Sequence, residues 1–422
     1  MPMSLPSPIL RRLFAALALS ATLAGGCGVG HAVFGGTSFN ATARKRQSGP
    51  IPADIKQIEV VNQCGAVDIA PSDDASCHWN WSLEVRAETS AEAQDGLDAP
   101  EFRAETNGDT LRLSMVLPRN NWRRRQFESD FELRVPKAVS ILARDQFGPV
   151  KIIGVDGPVD AQSESGPVTV RDIRKKVGAR TSFSSLRVEN IGPASLRDQS
   201  GELVAVRVHG PLDVETSFAS LEVTDIDAEL IARNQSGRIE AARVQGKADL
   251  RTSFSSLTAA DVHGPLTARN QSGSVSARHI KGDCQLETSF AALEASDTEG
   301  NVHVKNQSGE VAVRKARGAI TAETSFSSML IEAAGDSFVC RNQSGPITVR
   351  ASSATLKEVR ATTSFSSLTV QLPANINPSI SAHTSFGQVT SDFPAVRKTD
   401  PGAADIVLDN QSGNITIRRL ED

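Results

Sequence analysis

Cys27 is the residue whose position most clearly suggests chemistry. Arg11 and Arg12 precede an apolar run, residues 13–26, that ends in small residues directly before this cysteine. The pattern is typical of a secretory signal, and the run is too short for a bilayer span, which needs about 20 apolar residues. Two outcomes stay open: a lipoprotein signal in which Cys27 becomes the lipidated N-terminus, or plain cleavage after export.

Export would place the other four cysteines where disulfides form. Cys64 and Cys77 flank a predicted hairpin, so the sequence is equally compatible with a bridge between them and with two separate thiols. Cys284 and Cys340 fall at inward positions of the repeat described below, about three turns apart. At the spacing of paired strands this is roughly 14 Å, beyond the about 7 Å that a disulfide spans, so both are predicted to be small buried hydrophobic residues.

The seven histidines show no metal-binding pattern. His209 and His263 share one outward position of the repeat but lie three turns apart, too far to bind one metal ion. The chain has neither a Gly-rich phosphate loop between a strand and a helix nor a Gly-x-Ser-x-Gly nucleophile motif. We therefore expect no catalytic residues, no metal site and no cofactor, in a protein that is not an enzyme.

The most basic segment of the chain is RNNWRRRQF, residues 119–127. It could contact an anionic surface such as lipopolysaccharide or polysaccharide, or it could be a solvated hairpin tip. Its candidate contact residues are Arg119, Trp122, Arg123, Arg124 and Arg125. The formal net charge of the whole chain is -4, which argues against nucleic acid as a partner because phosphate binding needs a basic excess.

Composition favours a repetitive β structure. Only 5% of the 422 residues are aromatic, none is Tyr, and there are 31 Gly and 20 Pro. Few large side chains are therefore present to fill a wide core or to line an apolar ligand pocket.

Two short motifs alternate along the second half of the chain. TSF corners begin at Thr181, Thr216, Thr252, Thr288, Thr324 and Thr363, with a variant at Thr384. Asn-Gln-Ser-Gly corners begin at Asn234, Asn270, Asn306, Asn342 and Asn410, with an Asp-Gln-Ser-Gly version at Asp198. From Asp198 to Asn342 the spacing is 18 residues throughout.

Each 18-residue unit predicts two short strands and two corners. Numbered from the first residue of either motif, positions 6, 8, 11, 15 and 17 are apolar, which is strand alternation on one face. A unit of this size cannot bury a face alone, so units must stack. The sequence predicts a β-solenoid of about 14 turns between residues 150 and 417, on the order of 65 Å long.

Three outward features of the solenoid can be interpreted in more than one way. Asn-Gln-Ser-Gly corners are predicted to be structural, because Asn, Ser and Gly satisfy backbone groups at turns; the alternative is a polar binding strip. The TSF phenylalanines are expected to be buried or partly buried, and if exposed they would form an apolar stripe suited to adhesion. Position 18 predicts a column of charge that runs Arg197, Glu215, Arg233, Arg251, Arg269, Glu287, Lys305, Glu323 and Arg341.

The sequence predicts four regions. They are a signal peptide at residues 1–27, a flexible tether at 28–51, a β-rich N-terminal cap at 52–150 and the solenoid at 151–422. The cap contains all three tryptophans, and Trp79 and Trp81 share a strand face with Leu83, which predicts that they are core residues.

The order of segments resembles a known family. IEVVNQCGAVDIA, NGDTLRLSM and FELRVPKAV, followed by units such as QFGPVKI, ESGPVTV and QSGPITV, look like the bacterial putative-adhesin family of β-strand-repeat domains of unknown function. The resemblance covers roughly residues 55–419. It implies an exported or envelope-associated β-solenoid connected with adhesion, and it supplies no catalytic residues.

Three functional hypotheses follow. The first is a non-enzymatic cell-envelope protein, an adhesin or surface scaffold, held in the outer membrane by a lipid anchor and facing the periplasm or the surface. Its partner would be a cell-surface glycan or an envelope protein. The second is a self-assembling periplasmic scaffold that stacks end to end, and the third is a polysaccharide-active β-helix enzyme.

Overall fold

The computed structural model describes residues 39–73, 76–117, 124–394 and 403–420. The N-terminal elements are β1 (Ala41–Pro50), β2 (Gln57–Val61), β3 (Val67–Pro71), β4 (His78–Ala87), α1 (Ser90–Gly96), β5 (Glu101–Asn107), β6 (Thr110–Val116) and β7 (Arg125–Val135). Strands β8 to β20 are β8 (Ser140–Asp145), β9 (Val150–Ile153), β10 (Val159–Ser163), β11 (Val168–Ile173), β12 (Val177–Thr181), β13 (Leu186–Ile191), β14 (Ala194–Asp198), β15 (Glu202–Val208), β16 (Leu212–Thr216), β17 (Ser220–Ile226), β18 (Leu230–Asn234), β19 (Ile239–Val244) and β20 (Ala248–Thr252). Strands β21 to β33 are β21 (Leu257–Val262), β22 (Leu266–Asn270), β23 (Val275–Ile280), β24 (Cys284–Glu287), β25 (Leu293–Thr298), β26 (Val302–Lys305), β27 (Val311–Ala316), β28 (Ile320–Thr324), β29 (Met329–Ala333), β30 (Ser337–Asn342), β31 (Ile347–Ala351), β32 (Glu358–Thr363) and β33 (Leu368–Leu372). The last strands are β34 (Pro378–Thr384), β35 (Val389–Ser391), β36 (Ala404–Asn410) and β37 (Ile415–Arg419).

One turn of the rod consists of two strands, as β21 and β22 show. Leu257 and Ala259 in β21 are buried because alternate residues of a strand point to the same face. Asp261 then adopts a left-handed backbone with φ of 56°, which bends the strand so that the next residue, Val262, also points inward. In β22, Leu266 and Ala268 complete the inner face. The inward positions predicted from the sequence are therefore confirmed.

Successive turns stack into two parallel sheets. From β8 to β33 the even-numbered strands form one sheet and the odd-numbered strands the other. Neighbours pair one full turn apart, so that Leu257 lies opposite Val275. Thirteen turns follow one another in chain order from β8 to β33, and one hydrophobic cluster continues from Ile51 to Ile417. The predicted all-β solenoid with 18-residue rungs is confirmed.

At the N-terminal end, one turn is inserted out of chain order. β2 pairs in parallel with both β6 and β8, and β3 pairs with both β7 and β9. The strands of the predicted cap therefore continue the two sheets of the solenoid across residue 150. β1, which lies within the predicted tether, pairs with β4 over ten residues. The tether prediction is wrong for residues 41–50, because these residues form an edge strand of the fold.

The C-terminal end contains a second inserted turn. β36 lies between β32 and β34, and β37 lies between β33 and β35. The last strands in the sequence are thus internal, and the last turn in space is β34 with β35. The insertion places an Asn-Gln-Ser-Gly corner between the TSF corners that begin at Thr363 and Thr384. The alternation of the two motifs is therefore preserved along the rod.

Trp79 and Trp81 are core residues, as predicted. Trp79 and Trp81 are buried, and the Trp81 ring stacks on Phe102 with 4.4 Å between ring centroids. The indole Nε1 of Trp81 donates a hydrogen bond of 2.8 Å to Ser129 Oγ, which satisfies its polar edge.

The structure does not bring Cys64 and Cys77 together. β7 separates them: Ser129 near its middle donates to the Cys64 carbonyl, whereas Cys77 directly precedes His78, which lies opposite Arg134. Five to six strand residues correspond to roughly 20 Å, against the about 7 Å that a disulfide allows, and no bridge joins the two cysteines in the structure.

Cys284 and Cys340 are buried in the core, as predicted. Burial raises the pKa of each of these thiols to about 12, so both stay protonated and act as small apolar residues.

Candidate functional site: an exposed phenylalanine stripe

The corners of the solenoid are held by buried side chains that reach one turn back. Asn234 Nδ2 donates to the Ala219 carbonyl at 2.7 Å, and its Oδ1 accepts from the backbone N–H of Ser236 and Gly237. In the next turn, Thr252 Oγ1 donates to the Gly237 carbonyl at 3.2 Å. The same bonds to the preceding turn recur at Asn270, Asn306, Asn342 and Asn410, and at Thr181, Thr288, Thr363 and Thr384.

These bonds explain why the two motifs alternate. A Cβ on Gly237 would lie 1.8 Å from the carbonyl oxygen of Ala219, so only glycine fits at this corner. Each Asn corner therefore needs a glycine of its own. Five of the seven Thr corners donate to such a glycine's carbonyl, whereas Thr216 Oγ1 and Thr324 Oγ1 have no hydrogen-bond partner among the described residues. The structural interpretation of the Asn-Gln-Ser-Gly corners is confirmed.

The TSF phenylalanines lie on the surface, contrary to the expectation of burial. The reason is the geometry of the corner. Position 1 points inward, where the corner Asn or Thr side chain lies, and position 3 lies beyond the corner and points outward. The exposed fractions are 63% for Phe183, 60% for Phe218, Phe254 and Phe290, 57% for Phe326, 62% for Phe365 and 81% for Phe386. We call these seven residues the Phe stripe.

Serine occupies the same position in the intervening turns. The six serines are half-buried, and they are Ser200, Ser236, Ser272, Ser308, Ser344 and Ser412. Backbone hydrogen bonds hold the corners in register: Ser236 N donates to Ser217 O, and Phe218 N donates to Gln199 O. Because of the inserted C-terminal turn, Ser412 lies between Phe365 and Phe386. Phenylalanine and serine therefore alternate along the whole stripe.

The charged column predicted at position 18 is confirmed, since each of its members lies opposite the next in the strand register. Arg197 pairs with Glu215 at 3.2 Å, and Arg341 with Glu323 at 2.9 Å. The three consecutive arginines also have acidic neighbours. These pairs are Arg233 with Asp213, Arg251 with Asp249, and Arg269 with Glu287. Exposed pairs of this kind contribute about 0.2–1 kcal/mol each.

The structure also contains a second charged column, which the sequence pattern did not reveal. It lies at position 10, where nine successive turns have a left-handed backbone: Asp172, Asn190, Arg207, Asp225, Arg243, Asp261, His279, Asp297 and Lys315. His279 Nδ1 lies 3.0 Å from Asp261 Oδ1, and its Nε2 lies 3.8 Å from Asp297 Oδ2. Asp and Asn tolerate left-handed backbone, which was the available signal; Arg and Lys at the same position hid it.

A groove of about 620 Å³ runs beside this second column. Its lining includes Asp261, His279, Asp297, Lys315 and Arg317. Among the described residues, no cluster of His, Cys, Asp and Glu has the arrangement of a metal site. Acidic and basic groups of the groove face one another across turns, so much of their charge is neutralised locally.

The structure describes only part of the segment that is predicted to contact an anionic surface. Arg119, Trp122 and Arg123, like Cys27, lie outside the described residues. Arg124 is exposed, and Arg125 is half-buried with its guanidinium 2.6 Å from the carboxylate of Asp95.

Two aspartates take the place of the corner asparagine. In Asp145 and Asp198, Oδ1 accepts backbone N–H groups, but Oδ2 is buried and has no hydrogen-bond partner among the described residues. Burial raises the pKa of each carboxyl to about 6. An asparagine at these positions would place an amide where the other corners donate to the preceding turn.

Asp198→Asn is expected to stabilise the protein at pH 7 by about 1–3 kcal/mol, because a buried unsatisfied carboxylate oxygen becomes a donor. The folded-state pKa of Asp198 lies above the ordinary value, so protonation favours the folded state. The stability that protonation contributes is fully present below about pH 4 and is lost as pH rises through about 6. Urea unfolding at pH 5 and pH 7 should show a larger gain at pH 7. Asn234→Asp is the matched control and should give the opposite change; equal gains at both pH values would contradict this explanation.

No family model matches the chain, and no curated protein matches it. One solved structure that is similar is the crystal structure of a putative cell adhesion protein from Clostridium sporogenes, at 9% sequence identity and a TM-score of 0.13. The alignment covers 90% of this chain and 100% of that chain. A similarity at this score carries no argument about function, so the resemblance to the putative-adhesin family stays a prediction. Within the described residues, no helix is long and apolar enough to cross a membrane.

Proposed function

We propose that this chain is an exported, non-enzymatic rod of the bacterial envelope whose Phe stripe is a binding surface for adhesion or scaffolding. The observation that carries the proposal is the stripe itself: seven phenylalanines, each more than half exposed, on one edge of the rod. Exposed apolar patches of this extent mark interaction surfaces in soluble proteins. Phenylalanine occupies this outward position in every second turn. The stripe is therefore a repeated feature of the sequence and not one exposed side chain.

The N-terminal signal supplies the location in this proposal. Cys27 would carry the lipid that holds the rod at the membrane, and the solenoid would extend from it with the Phe stripe along its length. The resemblance to the putative-adhesin family supports the same location.

The two alternatives have less support. End-to-end stacking requires complementary ends, but the described N-terminal edges are β1 and β5, which run antiparallel to their neighbours, while β34 and β35 at the other end are parallel. A polysaccharide-active enzyme requires uncompensated acidic groups in a groove. In the groove beside position 10, Asp297 lies 3.8 Å from both His279 and Lys315.

The test uses a bacterial host that exports the full chain. Wild type is expected to be membrane-bound, accessible to protease on intact cells, and released by Cys27→Ser. Cells with wild type should attach to one another or to a surface, and Phe218, Phe254, Phe290 and Phe326 changed together to Ser should abolish attachment. Gln235, Gln271, Gln307 and Gln343 changed together to Ala, on the same face, are the matched control. Attachment that persists in the phenylalanine variant, or a rod shielded from protease, would contradict the adhesive function.

A further inference from the structure

The Phe stripe has the shape of one half of a zipper. Phenylalanines lie two turns apart, which is roughly 9.6 Å at the spacing of paired strands. Between each two rings is a half-buried serine, so each interval is a slot with a small polar floor. A ring inserted midway would lie about 4.8 Å from its neighbours, within the about 4.5–7 Å range of favourable aromatic pairs. The slot therefore fits one aromatic ring.

The surface strip that carries the phenylalanine rings and the serine slots is electrically neutral. In every turn that begins with TSF or with Asx-Gln-Ser-Gly, positions 2 to 4 hold only Ser, Gln, Phe, Ala and Gly. The charged columns at positions 10 and 18 lie outside it. Exposed Glu202, Arg238 and Glu310 at position 5 flank the strip. Two copies of a chain with net negative charge can therefore bring positions 2 to 4 together without a charged side chain from these positions in the contact.

The exposed area is sufficient for a stable dimer. A phenylalanine side chain carries on the order of 200 Å², so the exposed fractions of the seven rings amount to roughly 800–900 Å² per chain. A specific, stable interface buries about 800 Å² per partner.

We propose that the occupant of the Phe stripe is a second copy of this chain, with the two stripes interdigitated and offset by one turn so that each phenylalanine enters a serine slot of the partner. The same surface serves both copies, as in a two-fold symmetric dimer. This inference rests on the proposed function, because it names the partner that the adhesive surface binds. Pairing between rods on neighbouring cells would join the cells.

The test is sedimentation velocity of the purified exported chain, with Cys27→Ser to keep it free of membrane, over roughly a hundredfold range of concentration. Wild type is expected to be a dimer, and the four-phenylalanine variant a monomer with an unchanged circular dichroism spectrum. A third variant fills the slots: Ser236, Ser272 and Ser308 changed together to Phe. It makes the strip more apolar but removes the holes, so the zipper predicts a monomer. The glutamine variant described above is the control and should remain dimeric.

Stronger association of the slot-filled variant than of wild type would overturn the zipper and indicate unspecific apolar attraction. A four-phenylalanine variant that stays dimeric would also overturn it. Wild type that is monomeric throughout would overturn it as well; if attachment of cells were still lost in the four-phenylalanine variant, the proposed function would stand with another partner, such as a glycan.

Discussion

Cysteines introduced at Thr369 and Thr416 are expected to form a disulfide in the folded protein, whereas cysteines at Thr369 and Thr390 are expected to stay reduced. Thr369 in β33 lies opposite Thr416 in β37, and Thr416 lies opposite Thr390 in β35. Adjacent strands place Cα atoms about 4.8 Å apart, within the about 4.4–6.8 Å range of disulfides. Thr369 and Thr390 are two strands apart, at roughly 9.6 Å, which is too far.

The second pair is the matched control, because simple stacking in chain order would make it the bonded one. Peptide mapping under non-reducing conditions distinguishes the two arrangements, with Cys284 and Cys340 as buried internal references. A bond between positions 369 and 390, and none between 369 and 416, would show that the last two turns follow chain order. In that case Ser412 would not lie between Phe365 and Phe386, and the alternation of the stripe would end at Phe365.

The inward residues of the regular turns could be predicted from the sequence because side-chain direction follows a period of two. Leu257 and Ala259 follow this period. Val262 lies three residues after Ala259 instead of two, and this spacing indicated the bend that the left-handed backbone of Asp261 produces. Buried tryptophans in the cap followed from the same alternation. Local periodicity was sufficient for these residues.

The order of the terminal turns could not be derived from periodicity, because any two units of the repeat can stack. A signal was nevertheless present. The TSF corners at Thr363 and Thr384 have no Asn-Gln-Ser-Gly corner between them in the sequence, while one at Asn410 follows both. Thr384 Oγ1 donates to the carbonyl of a corner glycine, Gly413, so the later corner supplies the missing bond when it lies between them.

The phenylalanines were wrongly expected to be buried or partly buried because a large apolar residue is ordinarily a core residue. Position 3 lies in a corner, where strand alternation does not predict which way a side chain points. The intervening serines were the missed signal. A position that is Phe in one turn and Ser in the next fits a surface better than a core of uniform width. The ionic column at position 10 was missed because its left-handed backbone is not encoded by one residue type.

The central claim is that the Phe stripe faces solvent on the folded rod, and thiol labelling of Phe254→Cys and Leu257→Cys tests it most directly. The two residues lie three positions apart in one turn, yet Phe254 is 60% exposed and Leu257 is 1% exposed. In the folded protein, the thiol at position 254 is expected to react as fast as in the unfolded chain, and the thiol at position 257 at least about 100-fold more slowly, since it reacts only after local opening. Protection of position 254 to the same degree as position 257 would place the phenylalanines in the core and contradict the account.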